Sequence, residues 1–486
     1  MLLSVCACLL FGSQSTEATY YRHHRYIPVY YRYREHSANS ENHLPEAPNP
    51  APRAPAYPHV PEVFHPASEP IHPLPEAFHP VPEVVHPAAP EPYRPPEVPQ
   101  PFPHAPSPVS RVFHGIMFDA GSTGTRIHIY KFIQKDPVEL PVLDSEMYHA
   151  VKPGLSSYKD DPEEGGNTVR QLLKIAKKTV PEEEWRRTPV VLRATAGLRL
   201  LPRIKPSVKE VFDESPFFVP NNSVSIMPGT NEGVLAWVTV NFLTGHLYSN
   251  TRRTVGILDL GGGSTQITFL PKSKSAPSSY IANFNLFNNT YQLYTHSYLG
   301  NGLFAARLSA VGALGADGLD WKIFTSPCLP KRLREEVNFS GSTYKVSGIP
   351  DGYAGYKLCY YEMMRVIKGI VHQPYELKGS SIFYAFSYYF DRAKESGLID
   401  SRGGTVEVRD FKKKAKEVCN KMSKYRTINP FLCMDLTYIT CLLKEGFGFK
   451  DNTVLQLAKK VNNVETSWAL GATFDYFRNL NIHASD

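Results

Sequence analysis

The chain has 486 residues, 42% of them apolar and 20% charged, with a formal net charge of +7. Its 42 prolines are unevenly placed: residues 45–108 hold 23 of them and no glycine, which excludes one globular unit from end to end. Beyond the first dozen residues no apolar run approaches the ~20 residues that span a bilayer. The scattered lysines and arginines form no basic stripe for nucleic acid.

In chain order, Leu2 to Gly12 is a short apolar stretch followed by small and polar residues to Ala18. Residues 1–18 read as a secretory signal peptide, although the α-amine is its one N-terminal charge. Residues 19–110 read as a disordered tail, first rich in Tyr and Arg (20–36), then in Pro and His. His65-Pro66, His72-Pro73, His79-Pro80 and His86-Pro87 recur with a period of seven, with Glu62, Glu69, Glu76 and Glu83 three residues ahead. Proline at this density removes backbone donors and forbids helix, so the segment reads as extended and solvated. A metal-binding or pH-responsive arm and a plain spacer are both compatible with it, and the spacer is the simpler reading.

The chemistry begins at Gly115-Ile-Met-Phe-Asp119, an apolar strand ending in a carboxylate. Ala120-Gly-Ser-Thr-Gly-Thr125 is a glycine and hydroxyl turn, and Arg126-Ile-His-Ile-Tyr-Lys131 alternates as a second strand. The frame recurs as Val255-Gly-Ile-Leu-Asp259, then Leu260-Gly-Gly-Gly-Ser-Thr265, then Gln266-Ile-Thr-Phe-Leu270. Glycines let such turns aim several amides at one point, which binds phosphate without a lysine. The spacing points to Gly121, Ser122, Thr123, Gly124 and Thr125 in one loop, and Gly261, Gly262, Gly263, Ser264, Thr265 and Gln266 in the other. Asp119 and Asp259 are hard oxygen ligands suited to Mg²⁺ or Ca²⁺, directly or through water. A Walker GxxxxGK[ST] loop, HExxH, GxSxG and a GxGxxG that opens a helix are all absent.

Between and after the loops, Val190–Leu201 reads as a strand running into a small-residue turn at Thr195-Ala-Gly197. Ser223–Met227 reads as a strand and Val234–Leu243 as a helix, with Glu232 just ahead of it. There a carboxylate can complement the helix dipole or serve as a general base. Phe383–Phe390 is an aromatic run, core by default but able to stack on a base. Glu465–Phe474 reads as the start of a helix with small residues facing something close, and with Trp468 in it. Asn221, Asn288 and Asn338 are N-glycosylation sequons. Once the leader is gone, Cys328, Cys359, Cys419, Cys433 and Cys441 remain. Nearest-neighbour pairing gives Cys328–Cys359 and Cys419–Cys433 among three possible connectivities, with Cys441 a free buried thiol.

The segments FDAGSTGTRIHIY, LRATAGLRLL, MPGTNEGVLAWVTVNFL, LDLGGGSTQITF and SWALGATF together resemble, in order, the five conserved regions of the GDA1/CD39 apyrase family. The resemblance covers about residues 112–486 and leaves out the tail. It implies an α/β fold of two actin-like (RNase-H-type) lobes with a cleft between them. Lobe I would be 111–228 plus 460–486, and lobe II 229–459. It implies a luminal or secreted hydrolase of nucleoside diphosphates, UDP and GDP above all, serving glycoprotein folding in the endoplasmic reticulum; the chain is expected to act as a monomer. By motif, Glu232 is the general base and Ser264 holds the attacking water. Asp119 and Asp259 hold a divalent cation through water, with Trp468 nearby. The two loops grip phosphate, Thr195 lines the cleft and Tyr389 stacks on the base. Gly263 stands where the family often has alanine. Two other readings stay open: another actin-like phosphoryl-transfer enzyme (a polyphosphatase or sugar kinase), and a non-enzymatic secreted matrix or metal-binding protein.

Overall fold

The computed structural model describes residues 110–135, 141–195, 204–247, 253–272, 278–286, 289–374, 377 and 382–479. The leader, the tail, the Ala196-Gly197 turn and the Asn288 sequon lie outside the described residues.

Lobe I opens with β1 (Arg111–Ala120), β2 (Thr125–Gln134) and β3 (Val142–Val151). Helix α1 (Pro162–Thr179) starts where Asp161 accepts the Glu164 amide at 3.1 Å, with proline at its first position. Glu163 and Glu164 stand at its positive end, and Lys177 and Lys178 at its negative end. Then come β4 (Val190–Ala194), α2 (Ile204–Asp213) and β5 (Val224–Ile226), giving a five-stranded sheet in the order β3-β2-β1-β4-β5.

Helix α3 (Gly229–Leu243) leads into β6 (Gly256–Leu260), β7 (Ser264–Phe269), β8 (Ile281–Leu286), β9 (Asn289–Leu299) and α4 (Leu303–Ala310). A small separate sheet is made of β10 (Ile323–Ser326), β11 (Arg334–Phe339) and β12 (Ser342–Gly348). After α5 (Tyr356–Ile367) come β13 (Phe383–Ser387), α6 (Tyr388–Glu395), β14 (Gly404–Glu407), α7 (Val408–Asn420), α8 (Met422–Tyr425), α9 (Leu432–Cys441) and β15 (Val454–Leu457). The chain closes with a small β16 (Lys460–Val461) and β17 (Val464–Glu465) pair and α10 (Ala469–Asn479).

The large sheet of lobe II runs β14-β15-β13-β6-β7-β9-β8. Its inner strands β9-β7-β6-β13-β15 repeat the β3-β2-β1-β4-β5 order. The hairpin pairs are antiparallel and the last two pairs parallel in both sheets. The fold is therefore a duplication, two RNase-H-type lobes in an actin-like arrangement, as the resemblance implied.

Helices α3 and α10 lie between the sheets in one apolar cluster with Trp237, Phe474, Phe477, Phe132 and Ile257. The small residues of α10 face α3: a methyl group at Gly471 would lie 2.1 Å from the Leu235 carbonyl oxygen, and the Gly471 amide donates to Thr239 Oγ1 at 2.9 Å. Two boundaries differ from the sequence reading. Helix α3 begins at Gly229, after Pro228, so Glu232 lies inside its first turn. Helix α10 begins at Ala469, because Glu465 is still paired in β17 and Trp468 sits in the link.

Disulfides join Cys328 to Cys359 and Cys419 to Cys433, and Cys441 is buried and unpaired. Asn221 and Asn338 are exposed, the latter on β11. Among the described residues no helix is long and apolar enough to cross a membrane.

Candidate active site

Each Asp-led hairpin turn is closed by the same bond: Gly121 N–H to the Gly124 carbonyl at 3.1 Å, and Gly261 N–H to the Ser264 carbonyl at 3.0 Å. Each also rests on a Gly-Leu pair that opens a helical turn. A methyl group at Gly154 would lie 2.4 Å from the Gly121 carbonyl oxygen, and one at Gly302 would lie 2.4 Å from the Ser264 nitrogen. In lobe I, Ser156 Oγ donates to the Ser122 carbonyl at 3.1 Å. In lobe II the start of α4 takes up the glycine carbonyls: Leu303 N–H donates to Gly261 at 2.8 Å and Phe304 N–H to Gly262 at 3.0 Å. A carbonyl and the next residue's N–H point opposite ways in one peptide plane. Tying these carbonyls back therefore turns the Gly262 and Gly263 amides away from α4, toward the cleft.

The two turns meet. A methyl group at Gly262 would lie 2.5 Å from Ser122 Oγ and 2.7 Å from Thr123 Cγ2. Around them is a cleft of about 510 Å³ lined by both loops and by Asp119, Thr195, Glu232, Asp259, Ser264 and Trp468. That size suits a small ligand. Glu232 is 6% exposed. It is held there because Gly233 is pressed on β7, where a methyl group would meet Thr268 Oγ1 at 2.5 Å and Gln266 Cβ at 3.4 Å.

Three expected ligand contacts are corrected. Thr125 is buried beneath its loop, where its Oγ1 accepts the Leu155 amide at 3.1 Å, so it braces the turn. Gln266 is buried and donates through Nε2 to Ser264 Oγ and Ser297 Oγ, both at 2.9 Å, so it fixes Ser264. Tyr389 is 0% exposed and cannot stack on a base. The strand-to-helix switch at residue 388 sends Tyr389 inward, its hydroxyl toward Thr265, and puts Tyr388 in the cleft instead.

Sequence reasoning also missed several cleft residues. Arg126 donates to Asp119 Oδ2 at 2.9 Å. Its signal was the hairpin register, since Asp119 and Arg126 face each other across the turn. The lining also carries Phe304 and Tyr388, whose ring centroids are 5.7 Å apart, together with Asp391 and Asn429. Arg307 lies over the Phe304 and Phe431 rings and forms a bidentate pair with buried Asp435 at 2.7 and 2.5 Å. Arg392 lies over Tyr388 and bridges Glu395 and Asp435. Residues 307 and 435 are too far apart in sequence for any local pattern to join them. The returning segment is clasped to lobe I by Glu146, which accepts the Glu465 amide at 2.8 Å and faces His128 at 2.7 Å.

The two aspartates have the donor chemistry of a divalent-cation site. Asp119 Oδ1 and Asp259 Oδ1 are buried acceptors with no protein partner. Burial, reinforced by the charge of Asp119, pushes the Asp259 carboxyl up to about 6, so a cation there would relieve a real electrostatic cost. Among the described residues no group of three or more His, Cys, Asp and Glu side chains could hold a metal. Two carboxylates would leave most of the shell of a hard divalent cation to water and phosphate oxygens. The lining sets Asp119, Glu232, Asp259, Asp391, Glu395 and Glu465 against Arg126, Lys152, Arg307, Arg392 and Lys459. A divalent cation thus turns a slightly negative cleft into one that attracts phosphate.

The chain is similar to several known proteins. The chain is 58% identical over 383 residues to ectonucleoside triphosphate diphosphohydrolase 5 of Gallus gallus, covering 77% of this chain and 89% of that one. It is 56% identical over 379 residues to the Homo sapiens protein called nucleoside diphosphate phosphatase ENTPD5, covering 76% and 88%. It is 48% identical over 385 residues to human ectonucleoside triphosphate diphosphohydrolase 6, covering 77% and 79%. Among solved structures, nucleoside triphosphate hydrolases from Neospora caninum share the fold, with a TM-score of 0.53 at 14% identity over 77% of this chain and 94% of that one. Residues 110–485 match throughout, and the chain belongs to the GDA1/CD39 (nucleoside phosphatase) family.

Proposed function

We propose that the chain hydrolyses nucleoside diphosphates, UDP and GDP in preference, to nucleoside monophosphate and inorganic phosphate. The observation that carries this reading is the meeting of two Asp-led glycine turns, one from each lobe, in a cleft that also holds Glu232 and Ser264. The similarity to the human nucleoside diphosphate phosphatase supports the diphosphate class. The Phe304–Tyr388 pair favours a substrate with a base over bare polyphosphate.

The loop amides and the Ser122 and Thr123 hydroxyls hold the terminal phosphoryl oxygens as charge shifts during transfer. Gln266 donates into one lone pair of Ser264 Oγ, which leaves the other to accept a hydrogen from water. Glu232 accepts the second hydrogen, so the water's lone pair faces phosphorus and its proton leaves to a carboxylate. When bound, the divalent cation (Mg²⁺ or Ca²⁺, held through water by Asp119 and Asp259) offsets charge on the phosphate oxygens and the leaving group.

We place the mature protein in the endoplasmic reticulum lumen or outside the cell, as a monomer that clears UDP left by glycosyl transfer. The leader pattern, the sequons and two disulfides support an oxidising compartment. The test is a phosphate-release panel over UDP, GDP, ADP, UTP and ATP with Mg²⁺, Ca²⁺ or EDTA. Release from UDP and GDP with a cation, and a loss of about 10²–10⁴-fold in Glu232→Ala, support the reading. A folded Glu232→Ala protein with most of its activity would remove Glu232 from the role of base, and a wild type that releases no phosphate from UDP or GDP would refute the reading.

A further inference from the structure

We propose that Tyr388 is a positioning residue that acts from lobe II on the phosphate loop of lobe I, by fixing the direction of the Thr123 hydroxyl. This rests on the reading of that loop as a phosphate site. Tyr388 Oη donates to Thr123 Oγ1 at 3.1 Å, a bond between positions 265 residues apart. Because Thr123 accepts, its own hydrogen is free to point at a phosphate oxygen, and the bond it receives makes it a better donor. Without Tyr388 the Thr123 hydroxyl can turn any way, and part of its time is spent pointing away from the ligand.

Tyr388 is held firmly enough for this task. Its ring lies against Phe304, with centroids 5.7 Å apart, and beneath the Arg392 guanidinium at 5.2 Å. Arg392 is in turn anchored to Glu395 at 2.9 Å and to buried Asp435 at 3.4 Å. The residue before it, Ser387, has φ +55° and ψ −127°, a conformation non-glycine residues rarely adopt. That turn ends β13, where Ser387 pairs with Leu260 beside Asp259, and sends the next side chain across to Thr123. One strained junction therefore sets the side chain of lobe II that reaches the hydroxyl of lobe I.

The test is a double-mutant cycle in the full chain with Tyr388→Phe, which keeps the ring, Thr123→Val, which keeps the shape, and the double variant. Phosphate release from UDP with Mg²⁺ is measured as kcat and KM, with the thermal midpoint as a folding control. Tyr388→Phe should lower kcat/KM about 3- to 10-fold, the size of one neutral hydrogen bond. The double variant should be no worse than Thr123→Val alone. Wild-type activity in Tyr388→Phe, or losses that multiply in the double variant, would overturn the proposal, since ring packing alone gives independent effects. If the wild type releases no phosphate from UDP, the functional reading fails. The cycle is then run on Mg²⁺-pyrophosphate affinity by calorimetry, where the same coupling is expected and where additivity, or no binding to wild type, overturns the proposal.

Discussion

Gly262→Ala is the sharpest perturbation of the meeting between the two loops. Gly262 does not occupy the left-handed region, so alanine suits its backbone. The cost lies across the cleft, where the new methyl group would stand 2.5 Å from Ser122 Oγ and 2.7 Å from Thr123 Cγ2. Ordinary contact begins at about 3.4 Å, so Ser122 must turn away or the loops must part by about 0.9 Å. Ser122 can rotate its hydroxyl away, whereas Thr123 is β-branched and held by Tyr388, so the overpacking should cost about 1–3 kcal/mol of stability. Catalysis is less tolerant: a misplacement near 1 Å costs on the order of 10²-fold. Gly261→Ala is the control, since its methyl group would meet only the Ser264 carbonyl, at 3.2 Å. The assay is kcat/KM for phosphate release from UDP, beside the thermal midpoint. A Gly262→Ala protein that is as active as wild type would refute the reasoning that loop spacing governs the chemistry.

Two further outcomes follow from packing and charge. Gly471→Ala drives a methyl group to 2.1 Å from the Leu235 carbonyl oxygen, so α10 must shift from α3. Overpacking of this kind costs about 1–3 kcal/mol or more and should lower the denaturant midpoint, whereas Gly245→Ala meets nothing within 4 Å and should suffer only from its positive φ. His296 is held down to about 4 by burial and by neighbouring His372. Its folded value lies below the unfolded 6.5, so the unfolded state binds more protons between them. Stability should hold above pH 6.5 and fall as pH drops toward 4, and His296→Gln should flatten that fall. An equally steep fall in the variant would rule out this ring as the source.

The duplicated frame was legible because a hairpin writes its register locally. Asp119 and Asp259 end apolar strands, and the glycines between strands name the turns. The role of Glu232 was legible through the family resemblance and not from its own segment, because its placement depends on Gly233 meeting Thr268 and Gln266 from another strand. The Gly-Leu pairs at Gly154 and Gly302 escaped notice for the same reason: each is an ordinary dipeptide until a loop from elsewhere lies on it. Tyr389 and Tyr388 differ by one position, and only the switch from β13 to α6 decides which enters the cleft. Thr125 and Gln266 sit in the loop frame, yet their side chains point beneath it, which composition cannot report.

The central claim is that one cation–diphosphate complex is shared by both lobes. Calorimetric titration of UDP into the Glu232→Gln protein, with Mg²⁺ or with EDTA, tests it most directly when repeated in Asp119→Asn and Asp259→Asn. The account predicts one UDP per chain, cation-dependent, weakened at least tenfold by either substitution. Undiminished binding in either asparagine variant, or equal binding in EDTA, would contradict it.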